Sequence, residues 1–475
     1  MNIPQIGAMI SMAVSIVCFA PTAVFADTLG PLTYVDNGSS ITISNCQDVY
    51  GDLVIPPMID GKPVTAIGEE AFSLQSGIRT ISIPAGVINI GKRAFFLCSR
   101  LRNVSLPSSL TAINDETFLF CRNLTEVTIP AGVRSIGVGA FGGCTKLDNL
   151  IIPSDVRTIS AHAFSGCKLT SLTIPENVTT IGDSAFMECG IESLKIRSGK
   201  VVMGEDVFAY CRSLVTVELS EGIMAIEAGT FNSCSALTSV RIPSSLNRIG
   251  RTAFRFTSLN KIDFGPSLKV IEGSAFQNCA KLSMVTLPAS VKVVGDKAFA
   301  ECPALLNVFF LGDAPVMGKK VFLRATADFR VYFSEQSRGY TIPRWHGYRS
   351  SLPKEEIEVL ADDGSKLTDG EGFRRLGSTI VGETSRTKRF VIRNVGVRKL
   401  TGIYARISGG DSADFTVKNL TKSSLAPGQT AHLDLLFQPK QGGRSSSQLE
   451  IMSSDANEDP FEVDLSGLGL QLVNW

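Results

Sequence analysis

The sequence predicts a repeat solenoid, in which short coils of chain stack into a parallel β ladder, followed by an all-β sandwich. Two observations predict the solenoid. A phenylalanine recurs twelve times at intervals of 22 or 23 residues, and the same apolar pattern surrounds each copy. A third observation predicts the sandwich: the repeat period of 22 or 23 residues ends near residue 350, and longer segments of alternating apolar and polar residues follow. The recurring residues are Phe72, Phe95, Phe118, Phe141, Phe164, Phe186, Phe208, Phe231, Phe254, Phe276, Phe299 and Phe322.

Each repeat reads L-x-x-V-x-I-P-x-x-V-x-x-I-G-x-x-A-F-x-x-C, and one clean copy runs from Leu124 to Cys144. Residues 127–129 alternate inward and outward, as a short strand does, and Pro130 ends the strand. A glycine follows the second apolar pair in eight of the twelve copies. Glycine is favoured where φ is positive or where backbones approach closely, and two copies with glutamate indicate that φ need not be positive there.

Stacking explains why the pattern repeats. A unit of this size cannot bury its apolar residues alone, whereas stacked units can, because each covers the next. Strands about 4.8 Å apart would form a continuous parallel sheet, and a dozen coils would extend on the order of 55–60 Å. We therefore expect the phenylalanines to form a ladder along the interior of the solenoid.

The motif resembles the leucine-rich repeats of the BspA type, which occur in surface proteins of bacteria and of some protists. The resemblance covers roughly residues 50–335. It implies a leucine-rich repeat solenoid, and members of the family are linked to adhesion and protein binding, while many have no assigned role.

The cysteines follow the same period, since nine of the eleven lie three residues after a repeat phenylalanine. This register favours buried structural thiols, because a free cysteine behaves as a small hydrophobic residue. Adjacent coils would bring sulfurs near one another, so disulfides in an oxidising compartment are an alternative. No Cys-x-x-Cys pair or zinc-like cluster is present, which disfavours a metal site. The nine residues are Cys98, Cys121, Cys144, Cys167, Cys189, Cys211, Cys234, Cys279 and Cys302.

The outward strand positions are the candidate binding surface. In the middle coils the charges of one outward row alternate in sign, which favours neighbours stacked across strands. The sequence therefore predicts a partner-binding face centred on Lys195, Glu218, Arg241 and Asp263. The alternative is a solvated face with compensating charges, since the row lacks the aromatic anchors that usually carry interface energy.

Aromatic residues cluster where the repeats end. Tyr340, Trp345 and Tyr348 follow the last strand of the pattern, and a terminal coil needs a cover for its exposed core. We therefore expect Trp345 to belong to a cap, with ligand stacking as the alternative. The predicted solenoid with its caps spans residues 27–350, and residues 351–356 are predicted to form a linker.

Residues 357–475 are predicted to form an immunoglobulin-like β-sandwich, because several short alternating strands are separated by turn signals. The predicted strands are residues 389–393, 405–407, 415–417, 432–435, 448–451 and 461–465. The segment resembles the choice-of-anchor D domain of bacterial surface proteins in residues 390–396, 414–417, 425–428, 437–439, 453–461 and 465–467.

A short acidic loop lies in this segment, formed by Asp455, Asn457, Glu458 and Asp459. Such oxygen ligands can hold calcium, but the spacing and the glycine of an EF-hand loop are absent. A solvated hairpin turn is the favoured interpretation.

Residues 1–26 are predicted to be a signal peptide. The run from Met9 to Ala20 is apolar and uncharged, and small residues at Val24 and Ala26 indicate cleavage before Asp27. An uncleaved membrane anchor is an alternative, although the run is short and Pro21 interrupts it. A lipid anchor at Cys18 is disfavoured by the bulky valine before it.

Composition and motifs restrict the function. The 46 basic and 45 acidic residues give a net charge of +1, so no basic excess points to nucleic acid. Three histidines leave little for metal binding, and no catalytic set or phosphate-binding glycine loop stands out. The sequence predicts no enzyme and no cofactor. It predicts a secreted or cell-surface bacterial protein that binds a protein or cell-surface partner, with no membrane insertion after signal cleavage. A structural envelope or matrix component without a specific ligand is the alternative.

Overall fold

The computed structural model describes residues 27–334, 336–351, 357–370, 372–396, 399–455 and 460–471. They form a β-solenoid and a second unit of two four-stranded sheets, and each unit has its own apolar core. Three predictions fall wholly or partly outside the described residues: the signal peptide at 1–26, positions 352–356 of the linker, and positions 457–459 of the acidic loop.

A mixed sheet caps the amino-terminal end of the solenoid. Its first strands pair antiparallel, and its third strand pairs parallel with the sixth, which in turn pairs parallel with the first short strand of the coils. The cap therefore changes the direction of pairing from hairpin to solenoid. The strands of the cap are β1 (Asp27–Leu29), β2 (Leu32–Asp36), β3 (Ile41–Cys46), β5 (Met58–Ile59) and β6 (Lys62–Ile67). Strand β4 (Gly51–Val54) starts the main ladder of the coils.

The main strand of each coil lies in a parallel ladder, formed where the sequence has its alternating V-x-I segment. The ladder runs as three sheets, and isolated bridges at Asn149 and Asp263 occupy the places of the missing strands. After β4, its strands are β7 (Ile78–Ser82), β9 (Asn103–Ser105), β11 (Glu126–Val127), β14 (Ser171–Ile174), β16 (Ser193–Ile196), β18 (Thr216–Leu219), β20 (Ser239–Arg241), β23 (Met284–Leu287), β25 (Asn307–Phe310), β27 (Arg330–Phe333) and β29 (Tyr348–Ser351).

A second parallel ladder consists of two-residue strands at the second apolar pair of each repeat. In most of these strands the second residue is buried and the first is not. The strands are β8 (Asn89–Ile90), β10 (Ala112–Ile113), β12 (Ser135–Ile136), β13 (Thr158–Ile159), β15 (Thr180–Ile181), β17 (Val202–Met203), β19 (Ala225–Ile226), β21 (Arg248–Ile249), β22 (Val270–Ile271), β24 (Val293–Val294) and β26 (Val316–Met317).

The repeat phenylalanines form the predicted interior ladder. All twelve are at most 1% exposed. Each ring stacks on the ring of the next coil, with centroids 5.0–5.8 Å apart and planes within 21°. The ladder prediction is confirmed, and the stacked arrangement adds an aromatic contact to the burial of apolar area.

The phenylalanine side of each coil carries its own hydrogen bonds to the neighbouring coil. In every one of the twelve coils the residues two before and two after the phenylalanine have positive φ, for example Arg93 at 54° and Leu97 at 57°. This alternation points every second N–H toward the next coil. Phe95 donates to the Thr117 carbonyl at 2.9 Å, and Arg93 and Leu97 donate to the same coil. The sequence did not predict these positions, because most of them are not glycine.

The recurring glycine is required by close approach and not by its φ. Gly91 and Gly182, for example, have no positive φ. A Cβ added at Gly182 would lie 2.4 Å from the backbone nitrogen of Ala161 in the preceding coil. Of the two reasons that the sequence left open for this glycine, the structure supports close backbone approach.

The aromatic cluster after the last coil is a cap, as predicted. Trp345 is 4% exposed, and its ring lies 5.3 Å from Phe310 and 4.7 Å from Tyr340. In earlier coils the phenylalanine N–H donates to the following coil, but Phe322 donates to the Tyr348 hydroxyl at 3.1 Å. The cap thus covers the core and also supplies the acceptor that a further coil would provide.

The second unit has two sheets around one core. One sheet is antiparallel, and the other is antiparallel except for one parallel pair, which is formed by the strands at Gly372–Ile380 and Phe461–Leu470. The six strands predicted from the sequence are present, and the strands at Ile357–Leu360 and Gly372–Ile380 were not predicted. A 3₁₀ helix spans Ser412–Asp414. The strands are β30 (Ile357–Leu360), β31 (Gly372–Ile380), β32 (Lys388–Asn394), β33 (Tyr404–Ser408), β34 (Phe415–Lys418), β35 (Thr430–Phe437), β36 (Gly443–Met452) and β37 (Phe461–Leu470).

Asp455 differs from its predicted place in a solvated turn. Its side chain is buried, and one carboxylate oxygen accepts a hydrogen bond from the Ile357 N–H at 3.2 Å. This bond joins two strand ends of the second unit, so the carboxylate has a structural role.

Candidate functional site

The charged face lies on three adjacent strands of the main ladder. Parallel pairing places Lys195 beside Glu218, and Glu218 beside Arg241. The Glu218 carboxylate lies 2.7 Å from Lys195 Nζ and 3.8 Å from an Arg241 Nη. The acid therefore bridges two cations across three coils. We call Lys195, Glu218 and Arg241 the charged triplet.

The triplet is held in place by the buried residues that alternate with it. Leu194 and Ile196 flank Lys195 and point into the core, which leaves the lysine on the outer face. The side chains of Lys195 and Glu218 are each 45% exposed, and that of Arg241 is 73% exposed. Ion pairs with this exposure contribute little stability, so the triplet is not a structural clamp.

The electrostatics of the triplet keep Glu218 ionised. The hydrogen bond from Lys195 lowers the pKa of the Glu218 carboxyl, and the nearby charge of Arg241 lowers it further. The triplet thus presents two cations and one anion at any pH near neutrality.

A shallow depression of about 400 Å³ adjoins the triplet. Its lining combines Lys195 and Glu218 with small hydroxyl side chains, which include Ser171 and Thr173 of β14 and Thr216 of β18. A partner that docks here would meet hydroxyl donors on one side and paired charges on the other.

Asp263 does not join the triplet. The main ladder is interrupted after β20, and Asp263 forms an isolated bridge with Thr286 of the following sheet. Among the described residues it forms no ion pair with Arg241. Phe264 and Gly265 stand where the clean repeat has isoleucine and proline, and the Phe264 ring packs edge-on against Phe276. The structure brings together three of the four predicted residues.

The sequence pattern did not predict a second depression, which lies beside the amino-terminal coils and is lined by Arg79, Arg100 and Arg102. The signal was available, because Arg79 and Arg102 are 23 residues apart and therefore occupy equivalent places in adjacent coils.

The ladder thiols are structural. The ten cysteines in the described residues are free and buried. Each of the nine ladder thiols donates to the carbonyl of the phenylalanine one coil earlier, at 3.0–3.2 Å. Burial raises the pKa of Cys98 and of Cys211 to about 12, so neither is a nucleophile near neutral pH.

Neither a metal-binding cluster nor a long apolar helix occurs in the described residues. No group of three or more histidine, cysteine, aspartate or glutamate side chains in that part of the chain is placed to hold a metal ion. No helix found there has the length and apolar character that crossing a membrane requires.

Three solved structures are similar to parts of this chain. A leucine rich cell surface protein from Faecalibacterium prausnitzii A2-165 is 24% identical over 70% of this chain and 100% of its own, with a TM-score of 0.43. The pneumococcal vaccine antigen PcpA is 21% identical over 66% of this chain and 95% of its own, with a TM-score of 0.45. A leucine-rich repeat protein from Bacteroides capillosus ATCC 29799 is 32% identical over 26% of this chain and 96% of its own, with a TM-score of 0.24.

Because these TM-scores are below 0.5, the family assignment rests on the repeats themselves. A search of curated proteins finds no significant match. The family model for the BspA type leucine-rich repeat region, which has six copies, matches residues 65–192 and 179–307. The two matches together span just over half of the chain and lie within the phenylalanine ladder, so the chain belongs to the BspA type leucine-rich repeat family.

Proposed function

We propose that this protein is an exported or cell-surface interaction protein that binds a protein or cell-surface partner through the solenoid. The observation that carries the proposal is the charged triplet beside an open depression on the exposed strand face. In a parallel solenoid each coil contributes its outward side chains to one continuous surface, which suits recognition of an extended partner.

The chemistry of the triplet favours a protein partner with charges of both signs. Glu218 is flanked by two cations, so a partner acid would contact Lys195 or Arg241, while a partner cation would contact Glu218. Complementary charges of this kind govern the association rate and the choice of partner more than the affinity.

The second unit supports the same placement. We propose that residues 357–475 form an immunoglobulin-like domain similar to the choice-of-anchor D domain of bacterial surface proteins. Two four-stranded sheets around one core support this. We further propose that residues 1–26 are a signal peptide, which would export the chain to the surface or the medium.

Charge reversal tests the binding face. The variant Lys195→Glu/Arg241→Glu turns the triplet into three acids, so binding of a surface protein recovered from host or bacterial extracts should weaken at least about tenfold. The measurement is the dissociation constant of the purified partner by surface plasmon resonance.

A matched control separates this face from net charge. Lys269 and Lys292 are exposed, occupy equivalent places in adjacent coils, and form no ion pair among the described residues. The variant Lys269→Glu/Lys292→Glu changes the net charge equally and should bind normally. Equal loss in both variants, or no loss in the first, would reject the charged triplet as the binding face.

A structural envelope or matrix role is the second candidate. It is favoured by the length of the regular ladder and by the pairing of the triplet charges with one another. In that case purified protein would bind no surface protein with micromolar or tighter affinity, and triplet variants would leave its retention in the envelope unchanged.

A further inference from the structure

A second depression, of about 420 Å³, lies beside the amino-terminal coils. Its lining includes Tyr50, Arg79, Arg100, Arg102 and Asn123, together with two glycines. Tyr50 is 80% exposed, so its ring is available at the rim. A volume in this range suits a small ligand or one or two units of a polymer.

Coil stacking brings the three arginines together. Arg102 donates its backbone N–H to the Arg79 carbonyl at 2.8 Å, which places the two residues one above the other in adjacent coils. Arg100 lies two residues earlier in the same coil as Arg102. A Cβ built at Gly51 would lie 3.6 Å from an Nη of Arg79, so this guanidinium lies close to the backbone of the coil before it.

The arginines of this cluster have no acidic partner. None of Arg79, Arg100 and Arg102 forms an ion pair or a side-chain hydrogen bond among the described residues, and no lining residue is acidic. Other arginines of the solenoid are paired, such as Arg93 with Glu116 at 2.5 Å. Three adjacent guanidinium groups repel one another, and a bound anion would relieve that repulsion.

The polar side chains near the cluster already form hydrogen bonds within the protein, so the arginines are the donors that remain available to a ligand. The Asp52 carboxylate accepts a hydrogen bond from the Thr80 hydroxyl at 2.8 Å. The Asn123 amide donates to the Ser99 carbonyl and accepts from Lys146, which adds a fourth cation beside the cluster.

The residue types indicate the ligand. Guanidinium groups bind carboxylate and sulfate oxygens in a two-pronged geometry, and an exposed tyrosine ring packs against the apolar face of a sugar. We propose that Tyr50, Arg79, Arg100 and Arg102 form a binding site for an acidic saccharide, one that carries carboxylate or sulfate groups. The site is independent of the charged triplet, which lies four coils from Arg102.

Isothermal titration of the folded protein tests the site with three probes. A heparin-derived octasaccharide carries sulfates and carboxylates, oligogalacturonate carries only carboxylates, and a polyglutamate peptide carries acids without sugar rings. We expect at least one saccharide to bind, and the variant Arg79→Ala/Arg100→Ala/Arg102→Ala to weaken it at least tenfold. Which saccharide binds distinguishes the sulfate from the carboxylate as the recognised group.

Two variants separate a built site from general attraction to cations. Arg212, Arg349 and Lys418 are exposed and unpaired among the described residues. Their triple alanine variant removes the same charge and should bind normally. Arg79→Lys/Arg100→Lys/Arg102→Lys keeps the charge but loses the planar guanidinium groups that contact two ligand oxygens at once, so saccharide binding should weaken several-fold. Equal loss in the control, or full binding in the lysine variant, would overturn the proposal.

Tyr50→Ala tests the saccharide class. It should weaken saccharide binding several-fold and leave any polyglutamate binding unchanged. If neither saccharide binds at millimolar concentration, or if polyglutamate binds more tightly than both, the proposed ligand class is wrong. Lys195→Glu/Arg241→Glu should bind the saccharide normally, which keeps this test separate from the test of the charged triplet.

Discussion

Eight of the nine ladder thiols, all except Cys279, are weak acids held where their charged form is unfavourable. Cys144 Sγ, for example, donates to the Phe118 carbonyl at 3.2 Å, and that carbonyl also accepts the Cys121 N–H. Burial raises the pKa of the Cys144 thiol well above its usual value. The protonated thiol thus serves both as a small apolar side chain and as a hydrogen-bond donor between coils.

Stability should therefore fall at alkaline pH. The folded thiols keep their protons, with a pKa of about 12 at Cys98 and Cys211, whereas unfolded thiols ionise near pH 8.5. The unfolded state then binds fewer protons, so stability is complete below about pH 8.5 and declines as the pH rises toward 12. Each thiol contributes a slope of about 1.4 kcal/mol per pH unit. Urea unfolding at pH 7.5 and pH 10 measures it.

A variant isolates the thiol contribution from that of lysine and tyrosine. Cys98→Ala/Cys211→Ala removes two of the titrating groups and leaves the others in place. Its stability should decline less steeply between pH 7.5 and pH 10. An unchanged slope would mean that these thiols do not keep their protons in the folded state.

The donor role of the thiol can be tested at one coil. Cys144→Ala removes the bond to the Phe118 carbonyl and leaves a small cavity, so we expect a loss of about 1–2 kcal/mol. Cys144→Thr should lose less, because Thr257 shows that a hydroxyl at this repeat position donates to the phenylalanine carbonyl of its own coil, although the bond to the earlier coil is lost. Chemical denaturation compares the two, and equal losses would show that a donor to the same coil does not compensate for the lost thiol.

At the scale of elements, the phenylalanine ladder connects every coil to the next. Phe186 lies near its middle and stacks on Phe164 and Phe208 at 5.2 and 5.4 Å. Phe186→Ala should cost about 3–5 kcal/mol and should divide the melting of the array into two steps. Phe256 is 43% exposed, so Phe256→Ala is the control and should cost less than about 1 kcal/mol. A single unchanged transition in Phe186→Ala would contradict cooperation through the ladder.

Close approach of coils makes a second element-scale prediction. Gly182→Ala places a Cβ against the backbone of Ala161, so the coils must separate locally at a cost of about 1–3 kcal/mol. Ser160 occupies the equivalent place one coil earlier and already has a Cβ. Ser160→Ala should therefore be nearly neutral in thermal melting. A neutral Gly182→Ala would show that the spacing of the coils is easily changed.

The same contacts explain what the sequence could and could not predict. Strict period and residue type marked the phenylalanines, the thiols and the strands, because burial restricts those positions. The sequence did not predict the positions with positive φ, since residues as different as Leu97 and Tyr210 occupy them. Asp263 forms no ion pair with Arg241 among the described residues, because the main ladder is interrupted between them and the sequence pattern did not show that interruption. The arginine cluster was missed although Arg79 and Arg102 share the repeat period, because a pattern of buried positions does not single out exposed side chains.

For the whole molecule, two separate cores predict two unfolding units. Phe186 belongs to the core of the solenoid and Leu433 to that of the second unit, and both are fully buried. Phe186→Ala and Leu433→Ala each create one cavity, so Phe186→Ala should lower and divide only the calorimetric transition of the solenoid, and Leu433→Ala should lower only that of the second unit by several degrees. The transition of the other unit should stay within about one degree, because cavities in separate cores act independently. If either variant shifts both transitions equally, the two cores unfold as one, and the solenoid depends on the second unit for its stability.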